Sequence, residues 1–362
     1  MNVHRLIVSA PGRICLFGEH LDYLGLSVVT AAINLRITIS GQPRDDRKIT
    51  INLPDIAGQE EIDLDQPVHY LKERDYFRSS INVLQRHSLQ LPSGYHCTVT
   101  GNIPINSGTS SSSALVIAWI KFLLTIAEDS RQNDRGEIAR LAHEAEVLEF
   151  HEPGGMMDHV AAAFGGVLYI DFSANKLMPV SLSARLGSFV LGDSQQPKDT
   201  KAILARVKGG ALAAMEILHQ SDPKLNFRNI TQEALERYQR RLTPEQLRLL
   251  RAIIINRDIT QQAKQLLQQP IIEHDKLGAL LLAHQEQLRE GLQISTAKID
   301  RMISAAMEAG ALGAKINGSG GGGCMFAYAP DKTELVAEAI ARSGGKPYIV
   351  TIDDGVRVNS IA

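Results

Sequence analysis

A chain of 362 residues with 44% hydrophobic and 22% charged residues has the composition of a globular protein large enough for two domains. The formal net charge of -2 gives no electrostatic reason to bind nucleic acid or an anionic membrane. The three cysteines are far apart, so neither a disulfide framework nor a zinc site is indicated. No signal-peptide core and no run of about 18 apolar residues occurs. We expect a cytoplasmic monomer or small homo-oligomer with small-molecule partners.

The first part of the chain predicts β-structure. Two strand-like runs, 6–10 and 13–17, flank Pro11-Gly12, and Val28 to Ser40 is rich in Val, Ile and Thr. The run from Lys48 to Leu53 is expected to pair with this strand across a turn. The opening domain is therefore predicted to be built around a sheet.

A cluster of polar residues follows the first strand. Glu19, His20, Asp22 and Tyr23 fall within five positions, in a loop bounded by glycines. Such a loop can present several hydrogen-bonding groups to one small ligand, although a solvated turn has the same composition. The spacing matches no known metal-ligand pattern.

A serine-rich loop joins a predicted strand, Tyr95 to Asn102, to a predicted buried helix, about Ser111 to Ala127. Gly108 and four consecutive serines precede the apolar run, where free N–H groups and the helix dipole favour an anion such as phosphate. A serine-rich N-cap without a ligand is the alternative. The loop lacks the Gly-Lys-Ser/Thr of a Walker P-loop and the G-x-G-x-x-G dinucleotide fingerprint.

Two further segments have functional character. A helix predicted over Gly136 to Phe150 carries Glu146 near its end, and a glycine turn then opens a second helix with Asp158 in its first turn. A carboxylate at that position could serve only to stabilise the helix N-terminus. Between Gly310 and Cys324 a third glycine cluster leads into a strand predicted over Met325 to Tyr328, which indicates close backbone approach to a ligand or another loop.

The three glycine-containing segments, in this order and separation, resemble those of the GHMP kinases, the family of galactokinase, homoserine kinase, mevalonate kinase and phosphomevalonate kinase. The matching segments are Pro11 to His20, Pro104 to Ala114 and Gly313 to Gly323, so the resemblance spans nearly the whole chain. The residues from Gly18 to Tyr23 and from Gly155 to His159 are similar to the galactokinase versions of their motifs.

The resemblance implies an α+β, two-domain GHMP kinase fold. Its N-terminal domain, residues 1–180, would resemble ribosomal protein S5 domain 2, and its C-terminal domain, residues 181–362, would be ferredoxin-like, with the last strand packing back on the first domain. ATP and a sugar would meet between them, with transfer of the γ-phosphoryl group to a hydroxyl, by analogy that of galactose C1. Mg²⁺ is the implied cofactor.

The implied site residues follow from the matched motifs. Asp158 would accept the hydroxyl proton and Arg13 would stabilise charge beside it, while Glu19, His20 and Asp22 would bind the sugar. Ser112 and Glu146 would hold Mg²⁺. The loop that would bind the ATP phosphates comprises Ser107, Gly108, Thr109, Ser110, Ser111, Ser112 and Ser113.

The sequence also departs from the galactokinase pattern. Cys15 stands where galactokinases usually have asparagine, and Asn106 and Thr109 replace a glycine and a leucine. The segment from Leu191 to Lys201 does not resemble the one that supplies a sugar-binding tyrosine. Phosphorylation of another aldose or of mevalonate, or a non-catalytic galactose and ATP sensor, are therefore alternative hypotheses.

Overall fold

The computed structural model describes residues 5–105, 108–173 and 179–361. Asn106 and Ser107 of the predicted phosphate loop lie outside the described residues. The strands are β1 (Arg5–Phe17), β2 (Val28–Pro43), β3 (Lys48–Leu53), β4 (Gly58–Asp63), β5 (Tyr95–Gly101), β6 (Val167–Ile170), β7 (Val180–Leu182), β8 (Ser188–Asp193), β9 (Gly313–Ile316), β10 (Cys324–Tyr328), β11 (Lys346–Thr351) and β12 (Arg357–Ile361). The α-helices are α1 (Tyr76–Arg86), α2 (Ser111–Ile126), α3 (Arg135–His143), α4 (Met157–Phe164), α5 (Thr200–Ser221), α6 (Gln232–Tyr238), α7 (Pro244–Leu267), α8 (His274–Glu286), α9 (Ala297–Glu308) and α10 (Thr333–Arg342).

The larger sheet has the strand order β12-β1-β2-β5-β3-β4, and β6 pairs with β2 and β7. The predicted pairing of β3 with β2 is wrong. Strand β5 lies between them, antiparallel to β2 and parallel to β3, and it takes the backbone groups of β2 that β3 would have needed. The two short runs predicted around Pro11-Gly12 form one strand, because shifts in the register between Pro11 and Arg13 let the chain continue past the proline.

Helix α2 packs against β1 and β2 and forms the centre of the first core. Trp119 and Phe122 are fully buried and stack at 5.5 Å between ring centroids. The Trp119 indole N–H donates to the Phe77 carbonyl at 3.1 Å, which satisfies its one polar group. Burial of each such ring stabilises the fold by roughly 1.5–3 kcal/mol. The prediction that this helix is buried is confirmed.

A second, four-stranded antiparallel sheet has the order β11-β8-β10-β9. Helices α9 and α10 pack on it. Strand β9 was not predicted, because its four residues are too short to give a periodic signal inside the glycine cluster. Strand β12 leaves this part of the chain and pairs antiparallel with β1, from Arg5 opposite Ile361 to Ser9 opposite Arg357. The domain boundary at residue 180 stays a prediction.

The helix predicted over Gly136 to Phe150 ends earlier than expected. Regular α-geometry stops at His143, and a single π-helical turn, Glu144–Leu148, follows. Such widened turns re-aim side chains and are frequent at functional sites. None of the helices in the described ranges is both long and apolar enough to cross a membrane.

Candidate active site

One cavity lies where the three glycine-containing segments meet. Its lining includes Arg13, His20, Asp22, Tyr23, Gly108, Ser110, Ser111, Ser112, Ser113, Glu146, Gly155, Asp158, His159, Lys198, Thr200, Leu204, Gly318 and Ser319. Most of the residues singled out in the sequence therefore converge on one space. Glu19 and Thr109 are absent from this lining, and Ser107 lies outside the described residues.

Arg13 and Asp158 form the central ion pair of the cavity. The guanidinium of Arg13 reaches Asp158 Oδ1 through Nε at 2.8 Å and Nη2 at 2.7 Å, and its Nη1 donates to the carbonyl of Gly108. Burial alone would raise the pKa of Asp158, but Arg13 and the Ser110 hydroxyl favour the charged form, so the pKa lies below its ordinary value. Asp158 is thus an ionised carboxylate that can accept a proton.

The phosphate loop and the third glycine segment pack backbone to backbone. A Cβ on Gly108 would lie 2.6 Å from the Asn317 carbonyl, and one on Gly318 would lie 2.7 Å from the Gly108 carbonyl. Both glycines have positive φ, so a larger residue would be strained as well as crowded. The Asn317 side chain donates to Gly108 at 2.9 Å and accepts from the Cys15 N–H at 2.9 Å. Asn317 therefore ties the three segments together, a role that the sequence did not indicate.

Helix α2 begins at this loop, as predicted. Ser110, its N-cap, has a positive φ of 61°, and the hydroxyls of Ser111, Ser112 and Ser113 line the cavity in the first turn. Thr109 is buried, and its carbonyl accepts the backbone N–H of Arg13 at 3.2 Å. The free N–H groups of a helix start thus adjoin the Arg13–Asp158 pair, an arrangement suited to an anion.

His20, Asp22 and Tyr23 line another side of the cavity. His20 Nδ1 accepts from the Tyr23 hydroxyl at 2.6 Å while Nε2 donates to the Ser319 carbonyl at 3.0 Å. Burial lowers the pKa of His20 to about 4, so the ring is neutral at physiological pH and these two bonds fix its tautomer. The His20 ring is thereby held in one orientation at the side of the cavity.

Asp22 is a buried carboxylate close to Asp158. Burial and the Asp158 charge raise the pKa of Asp22 to about 6, against the hydrogen bond from the Met157 N–H. A Cβ on Gly155 would lie 1.9 Å from Asp22 Oδ2, so only glycine leaves room for this carboxylate. Asp22 retains acceptor capacity for a ligand hydroxyl.

The structure does not bring Glu19 to the cavity. Its carboxylate is fully buried and accepts a hydrogen bond from Lys315 Nζ at 2.6 Å, with His284 Nδ1 at 3.9 Å from the other oxygen. The backbone turns between positions 19 and 22, so Glu19 faces the core while Asp22 faces the cavity. Glu19 is thus placed outside the cavity lining, and its contact with a sugar stays a prediction.

Glu146 lies on the π-helical turn, beside the start of α2. Burial alone would raise the pKa of Glu146, but His159, Ser112 and Ser113 favour its charged form, so the pKa is lowered. His159 Nε2 donates to Glu146 Oε2 at 2.7 Å. His159, which the sequence did not single out, orients this carboxylate.

Ser112 and Glu146 offer oxygen donors of the kind that Mg²⁺ prefers. Among the described residues no set of three His, Cys, Asp or Glu side chains forms a metal site by itself. Mg²⁺ is usually held by one or two carboxylates together with water and substrate phosphates. One buried, ionised carboxylate beside a hydroxyl at the edge of an anion-binding loop fits that pattern.

Lys198 and Thr200 are further cavity residues that the sequence did not identify. Both lie in the segment from Leu191 to Lys201. The departure of this segment from the galactokinase pattern was the one sequence feature that could have drawn attention to them. Lys198 precedes helix α5, and its Nζ donates to Ser319 Oγ at 3.1 Å.

Comparison with known proteins identifies the family. Three family models match: the GHMP kinases N-terminal domain at residues 75–166, the GHMP kinases C-terminal domain at 263–346, and the galactokinase galactose-binding signature at 2–43. Mevalonate kinase of Thermococcus sibiricus is 30% identical to the chain, over 99% of each protein. The chain belongs to the GHMP kinase family. Its relatives include both mevalonate kinases and galactokinases. The galactokinase of Actinobacillus succinogenes is 27% identical, over 97% of this chain and 94% of the relative.

Solved GHMP kinases share the fold over nearly the whole chain. Lactococcus lactis galactokinase complexed with galactose superposes with a TM-score of 0.86 at 22% identity, covering 98% of this chain and 95% of that one. Methanococcus jannaschii mevalonate kinase gives a TM-score of 0.73 at 20% identity, covering 96% and 98%. The predicted α+β, two-domain GHMP kinase fold is confirmed. GHMP kinases of this kind are ATP-dependent enzymes that phosphorylate sugar or mevalonate hydroxyl groups.

Proposed function

We propose that this GHMP kinase transfers the γ-phosphoryl group of ATP to a sugar hydroxyl, with galactose as acceptor and galactose 1-phosphate as product. The observation that carries the proposal is the placement of Asp22 beside the Arg13–Asp158 pair in one cavity. The galactose-binding signature matched at residues 2–43 includes both Arg13 and Asp22.

The catalytic roles follow from the charges in the cavity. Asp158, ionised beside Arg13, accepts the proton of the acceptor hydroxyl, and Arg13 stabilises the charge that develops on the transferring group. Phosphoryl transfer needs mainly alignment and charge neutralisation, so the ion pair need not move. The loop from Ser107 to Ser113 binds the phosphates through backbone N–H groups.

Ser112 and Glu146 hold Mg²⁺ in this proposal, with His159 fixing the Glu146 carboxylate. When bound, the metal neutralises phosphate charge and helps to align ATP. Asp22 and the fixed ring of His20 contact the sugar. Glu19 stays a predicted sugar ligand without a direct place in the cavity: its Oε1 is paired with Lys315, while its Oε2 has no hydrogen-bond partner among the described residues.

Mevalonate is the second candidate acceptor. A mevalonate kinase relative is 30% identical over the full chain, and the Lys198 ammonium in the cavity could pair with the carboxylate of such an acceptor. Asp22 opposes this assignment, because the mevalonate carboxylate would be a third carboxylate beside Asp158 and Asp22 and would be repelled by them.

A panel of acceptors tests the proposal. Parent protein and Asp22→Ala would be assayed for ADP release with Mg·ATP and galactose, glucose or mevalonate, and the phosphorylated position determined by NMR. We expect a strong preference for galactose, and a rise of roughly tenfold or more in galactose KM for Asp22→Ala, since an unpaired buried hydroxyl costs about 1–3 kcal/mol.

Two outcomes would reject the galactose assignment. Equal use of galactose and its C4 epimer glucose would mean that the loop around Asp22 does not discriminate hydroxyl stereochemistry, and faster phosphorylation of mevalonate would move the chain to the second candidate. Tight galactose binding without any ADP release would instead indicate a sensor.

A further inference from the structure

Lys198 occupies a defined position at the junction of the two glycine loops. Its Nζ donates to Ser319 Oγ in the third glycine segment at 3.1 Å. The same atom lies 3.2 Å from the point where a Cβ on Gly108 would stand, so the ammonium packs directly against the phosphate loop. Arg13 reaches the carbonyl of that same glycine. Gly108 therefore has two cations beside it.

The ammonium of Lys198 is only partly compensated. Its charged or titratable neighbours are Arg13 on β1, His20 after β1, Asp158 on α4 and Cys324 on β10. No carboxylate lies within ion-pair distance of Lys198 Nζ among the residues that the structure describes, and Oδ1 of the neighbouring Asp158 is paired with Arg13. Burial lowers the pKa of Lys198 to about 8, and Arg13 contributes in the same direction. A partly buried cation held without a counter-ion is suited to an anionic ligand.

We propose that Lys198 is a second catalytic cation that binds the transferring γ-phosphoryl group opposite Arg13. The inference rests on the proposed phosphotransferase activity but not on the identity of the acceptor. Negative charge on that group is spread over three equatorial oxygens, which one guanidinium cannot reach from all sides. Lys198 adds a donor from the side of the third glycine segment.

The step remains balanced with Lys198 in this role. The bond between the γ-phosphorus and the β,γ-bridging oxygen breaks and ADP takes its electron pair, while the acceptor oxygen bonds to phosphorus and its proton passes to Asp158. Lys198 donates hydrogen bonds throughout and neither gains nor loses a proton. The free-energy cost of burying the Lys198 ammonium is already part of the folded state, so the group needs no reorganisation during the reaction, as in other preorganised sites.

Kinetics of three variants test the role. Lys198→Met should lower kcat by about 10²-fold, the loss typical of removing one donor to developing negative charge. Lys198→Arg should recover much of that loss. Lys201→Met is the matched control, since Lys201 lies on the exposed side of the first turn of α5 and should leave kcat unchanged.

The pH dependence of kcat/KM distinguishes an electrostatic role of the Lys198 ammonium from a purely structural one. For the parent, kcat/KM should fall as pH rises through about 8, because the ammonium of the free enzyme is lost, and Lys198→Arg should remove that alkaline limb. A purely structural role of Lys198 in holding Ser319 would leave the limb in place. Retention of the limb in Lys198→Arg would overturn the proposal.

Nucleotide binding provides a readout that needs no acceptor. By calorimetry with Mg²⁺, Lys198→Met should weaken binding of a non-hydrolysable ATP analogue at least tenfold more than binding of ADP, because only the former carries a γ-phosphoryl group. Equal weakening, or none, would overturn the proposal. Selective loss of mevalonate affinity would do so too, by assigning Lys198 to an acceptor carboxylate. Failure of the parent to use any acceptor would contradict the proposed function while leaving this comparison interpretable.

Discussion

Lys315 donates a hydrogen bond to the Glu19 carboxylate at 2.6 Å, and both side chains are completely buried. Lys315 belongs to strand β9, at the start of the third glycine segment, while Glu19 follows strand β1. Lys315 Nζ also donates to the carbonyls of Cys15 and Ile316, at 2.9 and 3.0 Å. The pair thus links the two sheets, and it anchors the chain just before His20 and Asp22.

Removal of one member of this pair should destabilise the protein strongly. Lys315→Met leaves the Glu19 charge buried without a counter-ion, for which the expected loss in the free energy of unfolding is about 3–5 kcal/mol. Urea unfolding followed by circular dichroism would measure it. Lys276→Met breaks the exposed pair with Glu273 and serves as control, with an expected loss of less than about 1 kcal/mol. Similar losses in both variants would contradict the inferred importance of burial.

Asp158→Asn should keep the fold and ATP binding while lowering turnover by about 10²-fold or more, the contribution typical of a positioned base. The amide keeps the shape of the carboxylate but cannot take up the hydroxyl proton. Steady-state kinetics alongside ATP titration would separate the two effects. Near-normal turnover in the folded variant would favour a reaction in which the hydroxyl loses its proton without a protein base.

Glu146→Gln should raise the Mg²⁺ concentration needed for half-maximal activity more than it raises the sugar KM, because the substitution removes the charge but not the size of the side chain. Titration of Mg²⁺ at saturating sugar measures the first effect. Glu144→Gln, on the same turn but paired with Arg140 and His87, is the control. An unchanged Mg²⁺ requirement with a raised sugar KM would assign Glu146 to the other substrate.

Asp22→Asn should stabilise the folded protein above pH 6. The pKa of Asp22 is raised from 3.8 to about 6 in the folded state, so between these values the folded protein binds more protons than the unfolded chain and loses stability as pH rises. Above pH 6 the ionised carboxylate destabilises the fold by on the order of 3 kcal/mol relative to a group with an ordinary pKa.

The check is a series of unfolding measurements between pH 4 and 8. The stability difference between Asp22→Asn and the parent should grow from pH 4 to 6 and then stay constant, and Asp45→Asn, in an exposed turn, should show no such trend. A flat difference would mean that Asp22 is not held at a raised pKa. A gain in stability with a loss of sugar affinity would fit a carboxylate retained for binding.

The sequence by itself determined the parts of this protein that depend on local chemistry. Gly108 and the serines after it mark a loop at a helix start, and the apolar run around Trp119 marks a buried helix, because backbone freedom, capping and periodicity act over a few residues. The order and spacing of the glycine segments sufficed to identify the family. Asp158 could be singled out for the same reason, since it lies in the first turn of the helix that follows the Gly154-Gly155 turn.

Only the tertiary structure decided which polar groups share the cavity. Glu19 and Asp22 are three positions apart and look equivalent in the sequence, yet one pairs with Lys315 in the core and the other lies beside Asp158. Lys198 reaches Gly108 across 90 positions of the chain. Strand β3 likewise pairs with the distant strand β5 rather than with its neighbour in sequence, β2, because β5 lies between them in the sheet. Contacts between residues so distant in sequence depend on how whole sheets pack and on which buried charges compensate one another. A local sequence pattern does not encode these contacts.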